Sequence, residues 1–459
     1  MSQQITSSTI KIVYMRIFLG SFIKESQPLL TTSCRTSATL SRPLHTTNLH
    51  ALDRTQGVLQ AAPGFLALLN VSLALSRSHQ YRTKLMEICL DLGILNSTSV
   101  RQALHDDEKH IFSLLKQIIS ANGPPHKQAV LELRGADAES FMDLLQMTLD
   151  KCESEDLRFW HGARRLLVKL SEVTGVLPSS LTIRDVTLLE KDAVFGGGFA
   201  DIYRALYNGK EVALKRMRIF QRGQERHKIH RTFCKEALVW KSLRHPHVLP
   251  FLGVDSNTFA PYLCMVSPWM RHGTIIRHLS DNKGVDIIKL LTEIAHGLNY
   301  LHSQNVVHGD LRGGNILIDD QWQACLADFG LTVVSEATLA THTSNGHGST
   351  RWMAPELHDP ESFGFDRFLR TSASDIYALG CVCLEVYTGR APFMNISNDT
   401  TVMLQVVRGI RPHRPPPDAS RQMSDDVWNL IVQCWMQNPA ERLNIRKFIE
   451  TTEGWKCSP

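Results

Sequence analysis

The octet His308-Gly309-Asp310-Leu311-Arg312-Gly313-Gly314-Asn315 places a carboxylate five positions before an amide. Asp328-Phe329-Gly330 adds a second carboxylate thirteen residues after that amide. Phosphoryl transfer needs such a set: one carboxylate accepts the proton of the attacking hydroxyl, while an amide oxygen and another carboxylate hold magnesium on a nucleotide. Mg2+ takes few protein ligands, all hard oxygens, and completes its shell with phosphate and water. Asp310 is then the base, Asn315 and Asp328 are metal ligands, and Gly330 permits the turn. Isolated Asp and Asn residues also simply build loops. Four matching positions in register argue against that reading here.

A phosphate cradle precedes this set. Phe195-Gly196-Gly197-Gly198-Phe199-Ala200-Asp201-Ile202-Tyr203 holds three consecutive glycines, which let backbone approach phosphate oxygens without steric cost. A plain hairpin turn is the other reading of that triplet. Lys215 follows in Val212-Ala213-Leu214-Lys215, where a strand would aim its ammonium at α- and β-phosphates. Such a lysine needs an acid to hold it. Glu236, in the helical stretch Cys234-Lys235-Glu236-Ala237-Leu238, is the expected partner, and Glu225 is the alternative. The basic residues Arg216, Arg218, Arg222, Arg226, Lys228 and Arg231 between them read as a solvated face.

The elements that must carry these residues divide the chain in three. Residues 1–58 form a polar leader whose first fifty residues hold Lys11, Arg16, Lys24, Arg35 and Arg42 but only one acid, Glu25. Its composition fits a mitochondrial transit peptide as well as a disordered extension, and the extension is the expectation adopted. Residues 59–178 read as helical. Phe141, Leu144, Leu145 and Leu149 recur at helical spacing after a capping candidate, Asp137; Phe159, Ala163, Leu166, Leu167 and Leu170 repeat the pattern until Gly175 and Pro178 close it. No catalytic constellation appears there, so this region is expected to be a packing or protein-partner-binding module. From Leu181 short strands begin, with Asn208-Gly209 as a hairpin turn, and after Trp269 helices dominate, clearest over 286–302 and 375–387. A strand-rich part followed by a helix-rich part gives an α+β, two-lobed arrangement with a cleft.

Composition sets the remaining bounds. With 459 residues, 43% hydrophobic and 21% charged, the chain has ample core for such domains. A formal charge of +5 gives no reason to invoke nucleic acid, and no apolar run is long enough for a membrane span. Ten cysteines without a CxxC pair suit a reducing compartment and small buried thiols, hence a cytoplasmic location.

Together the motifs resemble a protein kinase domain of the tyrosine-kinase-like serine/threonine group, over residues 186–453. Arg351-Trp352-Met353-Ala354-Pro355-Glu356 is characteristic of that group. His308-Gly309-Asp310-Leu311-Arg312 and Val248-Leu249-Pro250-Phe251-Leu252-Gly253 are similar to kinases expanded in mushroom-forming fungi. The resemblance implies a two-lobed protein kinase fold, ATP and Mg2+ as cofactors, and protein substrates. It implies nucleotide contacts from Gly196, Gly197, Gly198, Phe199, Ile202, Ala213, Lys215 and Leu317. In the hinge Met265-Val266-Ser267-Pro268-Trp269-Met270 it makes Ser267 the gatekeeper, with the Pro268 carbonyl and Met270 amide facing adenine. Arg312 would steady the γ-phosphate, and Ser349 would help seat a substrate hydroxyl. Glu356 would pair with Arg442, and Asp375 would hold the catalytic-loop backbone.

Three departures from the family pattern stand out. Gly309 replaces the arginine that clamps an activation-segment phosphate, so the chain is expected to act without that phosphorylation. Arg312 stands where serine/threonine kinases usually carry lysine, which keeps tyrosine or dual specificity open beside serine/threonine specificity. Phe195 and Ala200 occupy the first and third glycine positions of the phosphate loop. A pseudokinase scaffold, folded but without transfer, is the rival from another class.

Overall fold

The computed structural model of the chain describes residues 71–91, 96, 98–120, 124–151, 156–196, 200–217, 224–328, 349–416 and 421–456. The leader, the tip of the glycine loop (Gly197, Gly198, Phe199), Glu225's side chain and Phe329-Gly330 lie outside the described residues. By contacts in space the fold divides into two compact units. One comprises Met1–Thr182 with Gln221–Leu238, and the other Ile183–Phe220 with Val239–Pro459.

Helices make up the first unit: α1 (Val71–Asp91), α2 (Thr98–Ser120), α3 (Pro124–Leu131), α4 (Gly135–Lys151) and α5 (Leu157–Thr174). The apolar stripes expected from spacing are the buried faces. Phe141, Leu144 and Leu145 of α4, and Phe159, Ala163, Leu167 and Leu170 of α5, are sealed from solvent. Leu149, at the end of its stripe, is only half-buried. A Cβ on Gly162 would come within 2.3 Å of Ile119 Cγ2, so α5 approaches α2 as closely as a glycine allows. Arg82 is buried on α1, where it meets Asp107 at 3.2 Å and Glu108 at 2.8 Å.

Two local expectations need correction. Asp137 does not cap α4, which begins at Gly135; the acid lies in the first turn, where the helix dipole favours it, and its carbonyl accepts from Ser76 Oγ. Leu181 does not begin a strand. Ser179–Leu181 is a 3-10 turn behind Pro178, whose fixed φ of −54° starts the turn, and only Thr182–Ile183 (β1) is extended.

The second unit opens as a sheet: β2 (Thr187–Leu188), β3 (Phe195–Gly196), β4 (Ala200–Tyr207), β5 (Lys210–Met217), β6 (Gly253–Asp255) and β7 (Cys264–Pro268). The strands lie in the order β6-β7-β5-β4-β2, with β3 also on β4. β4 and β5 join through Asn208-Gly209, both at positive φ (49° and 73°), as a two-residue hairpin demands. Alternation then sorts the side chains. Tyr203, Ala205, Val212, Leu214, Cys264 and Val266 form the core of one sheet face, which leaves Ile202, Ala213, Lys215, Met265 and Ser267 on the other.

A helix-rich part follows, as the two-lobed α+β expectation requires. It contains α7 (Ile275–Asp281), α8 (Ile287–Ser303), the ribbon β8 (Ile316–Ile318) with β9 (Ala324–Leu326), α9 (Pro355–His358), α10 (Ser372–Thr388), α11 (Asp399–Val407), α12 (Asp425–Cys434) and α13 (Ile445–Lys456). Helix α6 (Gln224–Lys241) spans the boundary between the two units. Asp286 caps α8 by accepting from Lys289 N at 2.9 Å. The helix expected over 375–387 starts earlier, at Ser372, because Thr371 and Ser374 form a reciprocal capping box. Cys381 and Cys383 are buried in α10, and burial pushes the Cys381 thiol up to about 12. No helix among the described residues is long and apolar enough to cross a membrane.

Arg442 and Glu356 meet twice at 2.6 Å, each with only 1% of its side-chain surface exposed. A pair buried to this depth loses most when one member is removed, because the other charge is stranded. Arg442→Met should therefore lower unfolding stability by about 3–5 kcal/mol in urea titration. A loss within experimental error would contradict the assignment of the pair as structural.

Candidate active site

The loop after α8 is drawn into shape by one carboxylate. Asp375, in the first turn of α10, accepts from His308 N at 2.8 Å, Gly309 N at 2.9 Å and His302 Nε2 at 2.8 Å. Gly309 sits at φ 76°, a left-handed conformation that a residue with a Cβ adopts only with strain. Asp310 N in turn donates to His308 Nδ1 at 3.3 Å, which requires that nitrogen to be unprotonated. Complete burial depresses the His308 pKa, so the neutral ring this bond needs is the favoured form.

Asn315 fixes Asp310 from the other side. Its Nδ2 donates to the Asp310 carbonyl at 2.8 Å and to Oδ2 at 2.9 Å. Both N–H bonds are thereby used, and the amide oxygen is the end left for a cation. Arg312 Nε stands 3.6 Å from the same Oδ2. Gly313 N donates to Glu385 Oε2 at 2.8 Å, and a Cβ on Gly313 would come within 2.6 Å of Ile276. That crowding explains a glycine here on packing grounds. Glu385 also accepts from Trp352 Nε1 at 2.8 Å, so one buried acid ties the loop to the Arg351-Trp352 segment.

Asp328 leaves β9 with φ 59°, an uncommon conformation that Asp tolerates better than bulkier residues. Lys215 Nζ reaches its Oδ1 at 2.9 Å. That ammonium holds the Asp328 carboxyl below the usual carboxylate range, against partial desolvation, which acts the other way, with 49% of the side chain still exposed. The second carboxylate and the strand lysine are thus brought together. Glu236 is buried on α6.

The nucleotide-contact candidates distribute along one sheet face. Ile202 lies opposite Lys215, and Ala213 opposite Ser267, on facing strands. Residues directly opposite share a face, so Ile202, Ala213, Lys215 and Ser267 present one surface. Gly196 pairs with Asp201 at the root of the glycine loop. Pro268 ends β7 opposite Val212, Trp269 N donates to Glu211 O at 3.1 Å, and Met270 O accepts from Gly273 N at 3.1 Å. Half-buried Leu317 lies in β8, bridged to Thr274. Phe195, at a usual glycine position, stacks on Trp269 with ring centroids 6.3 Å apart. Ser349 precedes the 3-10 turn Thr350–Trp352.

Spacing did not reveal His302, Glu385 or the Lys215–Asp328 contact. Glu385 did leave a trace: an acid inside an otherwise apolar helical run needs a buried donor. The oxygens of Asp328 and Asn315 suit a hard divalent cation beside phosphates.

A carboxyl held down in the folded state stabilises the fold above its unfolded pKa of 3.8, and that contribution is lost as pH falls through the folded value. Lys215→Met should therefore cost stability near neutrality, and in urea titrations the difference from wild type should hold down to about pH 4 and shrink below it. A difference independent of pH would contradict the ion pair.

Comparison with known proteins agrees with this geometry. A family model described as protein tyrosine and serine/threonine kinase matches residues 189–451, more than half of the chain. The serine/threonine-protein kinase STY17 of Arabidopsis thaliana is 29% identical over 259 residues, covering 55% of this chain and 42% of that protein. The serine/threonine/tyrosine-protein kinase HT1 of the same plant is 29% identical over 265 residues, covering 56% and 64% respectively. The probable serine/threonine-protein kinase drkD of Dictyostelium discoideum is 29% identical over 268 residues, 56% of this chain and 19% of that protein. The chain thus spans less than two thirds of the length of these relatives. With more than half of the chain matched, including strands β3 to β9 and the loop of Asp310, the chain belongs to the protein tyrosine and serine/threonine kinase family.

Proposed function

We propose that the chain is an ATP- and magnesium-dependent protein kinase that transfers the γ-phosphate to serine and threonine hydroxyls of protein substrates. The observation that carries this reading is the arrangement of Asp310, fixed by Asn315, with Asp328 paired to Lys215.

Asp310 Oδ accepts the proton as the substrate hydroxyl oxygen bonds to the γ-phosphorus and the bond to the bridging oxygen breaks. Its second oxygen, held by Asn315 Nδ2, keeps the carboxylate oriented. Asp328 and the Asn315 oxygen are the proposed holders of magnesium, which when bound neutralises charge on the phosphates. Lys215 holds the α- and β-phosphates, with Glu236 as its proposed partner acid, and Arg312 bears on the γ-phosphate. Gly196, Gly197, Gly198 and Phe199 line the phosphates, while Ile202, Ala213, Ser267, Pro268, Met270 and Leu317 enclose the adenine. The shared strand face of Ile202, Ala213, Lys215 and Ser267 supports that grouping. Residues 1–58 are read as a leader, 59–178 as a helical module and 186–453 as the kinase domain. The buried free thiols support a cytoplasmic place of action.

Two observations bear on specificity and control. The names of the relatives STY17 and drkD support serine/threonine transfer, whereas HT1 is named for tyrosine as well. Gly309 carries no guanidinium to clamp a phosphate, and its left-handed backbone is held by Asp375 without one. Activity independent of activation-segment phosphorylation follows from that.

Autophosphorylation with magnesium-ATP should appear in wild type and fall to background in Asp310→Asn and Lys215→Met. Absence of signal in wild type would favour a non-catalytic scaffold. Phosphoamino-acid analysis should return phosphoserine and phosphothreonine; phosphotyrosine alone would overturn the specificity. Replacing Thr332, Ser335, Thr338, Thr341, Thr343, Ser344 and Thr350 by alanine should leave most activity, and collapse to background would refute phosphate-independent action.

A further inference from the structure

The helices before Thr182 have no part in the reaction proposed above, yet they pack on a helix that does. Helix α5 ends at Gly175, whose φ of 69° lets its N–H close on Ser171 O at 2.7 Å. The Gly175 carbonyl accepts from His230 Nε2, also at 2.7 Å. A ring nitrogen facing a carbonyl must carry the proton, so this contact fixes the tautomer. One helical turn on, Cys234 Sγ lies 3.6 Å from the same nitrogen. Lys235 Nζ meets Glu172 Oε1 at 3.2 Å. His230, Cys234 and Lys235 occupy one side of α6, and the end of α5 with its C-cap Gly175 supplies the partners of His230 and Lys235.

Backbone conformation calls for the glycine. A Cβ at Gly175 would make only ordinary contact with His230 Cδ2, at 3.6 Å, but the positive φ would strain any side chain. Glu236 follows Lys235 directly and so turns to a different side of the helix, where only 7% of its surface is exposed. The α5 contacts therefore hold α6 in the orientation that keeps Glu236 buried.

We propose that the last turn of α5 is an intramolecular clamp on α6, and that His230 and Lys235 are positioning residues for phosphoryl transfer, acting through the orientation of Glu236. This rests on the reading of Glu236 as the acid that holds Lys215. The occupant of this surface of the helical region is then the chain's own α6. Loosening the clamp lets α6 rotate or fray and removes support from the lysine, which lowers turnover more than nucleotide affinity.

The test uses the full chain, with amide hydrogen exchange across residues 230–238 and steady-state phosphorylation of a peptide substrate. In His230→Ala, exchange in α6 should rise and kcat should fall about fivefold, the worth of one net hydrogen bond, with KM for magnesium-ATP nearly unchanged. His230→Gln, which keeps an N–H donor, should recover most of the loss. Glu172→Lys should reproduce the defect most clearly at low ionic strength, and adding Lys235→Glu should reverse it. These exposed charge variants carry the test should His230→Ala fail to fold.

Unchanged α6 exchange in the folded variants would overturn the clamp. Raised exchange with unchanged kcat, in an active enzyme, would overturn the positioning role. A wild type that transfers no phosphate would remove the catalytic reading itself, a failure distinct from both.

Discussion

A carboxylate buried inside a protein is tolerable only when donors surround it, and Asp375 has three: the backbone N–H groups of His308 and Gly309 and the ring of His302. The exposed surface of Asp375 is 1% of its total. Through these bonds the first turn of α10 sets the path of the loop that carries Asp310. The neutral His308 ring, the left-handed Gly309 and the Asn315 amide then refine that path from within.

A second buried acid does comparable work farther along α10. Glu385 gathers Gly313 N and Trp352 Nε1 on one oxygen, and burial raises its pKa against the opposing pull of those donors. The apolar helix thus offers two anchors, Asp375 and Glu385, each tied to a different part of the same loop. Gly313 is the point where loop, α7 and Glu385 crowd together, and only the missing side chain lets them do so. The geometry of the candidate site is therefore a property of α10 as much as of the loop itself.

Much of this was legible in the chain. Spacing brought Asp310, Asn315 and Asp328 forward as candidates, because chemistry constrains residue type and separation along the chain, and the structure shows what each of them touches. The Asn208-Gly209 hairpin and the Asp286 cap were legible for a similar reason, since local backbone geometry selects those residues. His302, Glu385 and the Arg82 pairs were not, because their partners lie far along the chain and are chosen by packing rather than by spacing. The cap placed at Asp137 failed through a related ambiguity. An acid near a helix start suits both the cap and the first turn, and the helix, beginning at Gly135, places Asp137 in the turn.

The contact between Lys215 and Asp328 has a consequence for how either charge can be given up. The ammonium and the carboxylate offset one another, although about half of the Asp328 side chain, 49%, stays open to solvent. Drawing away one member alone weakens the electrostatic support of the other. Exchange of both partners in one event avoids that loss, so the pair resists separation most when only one charge is offered a replacement.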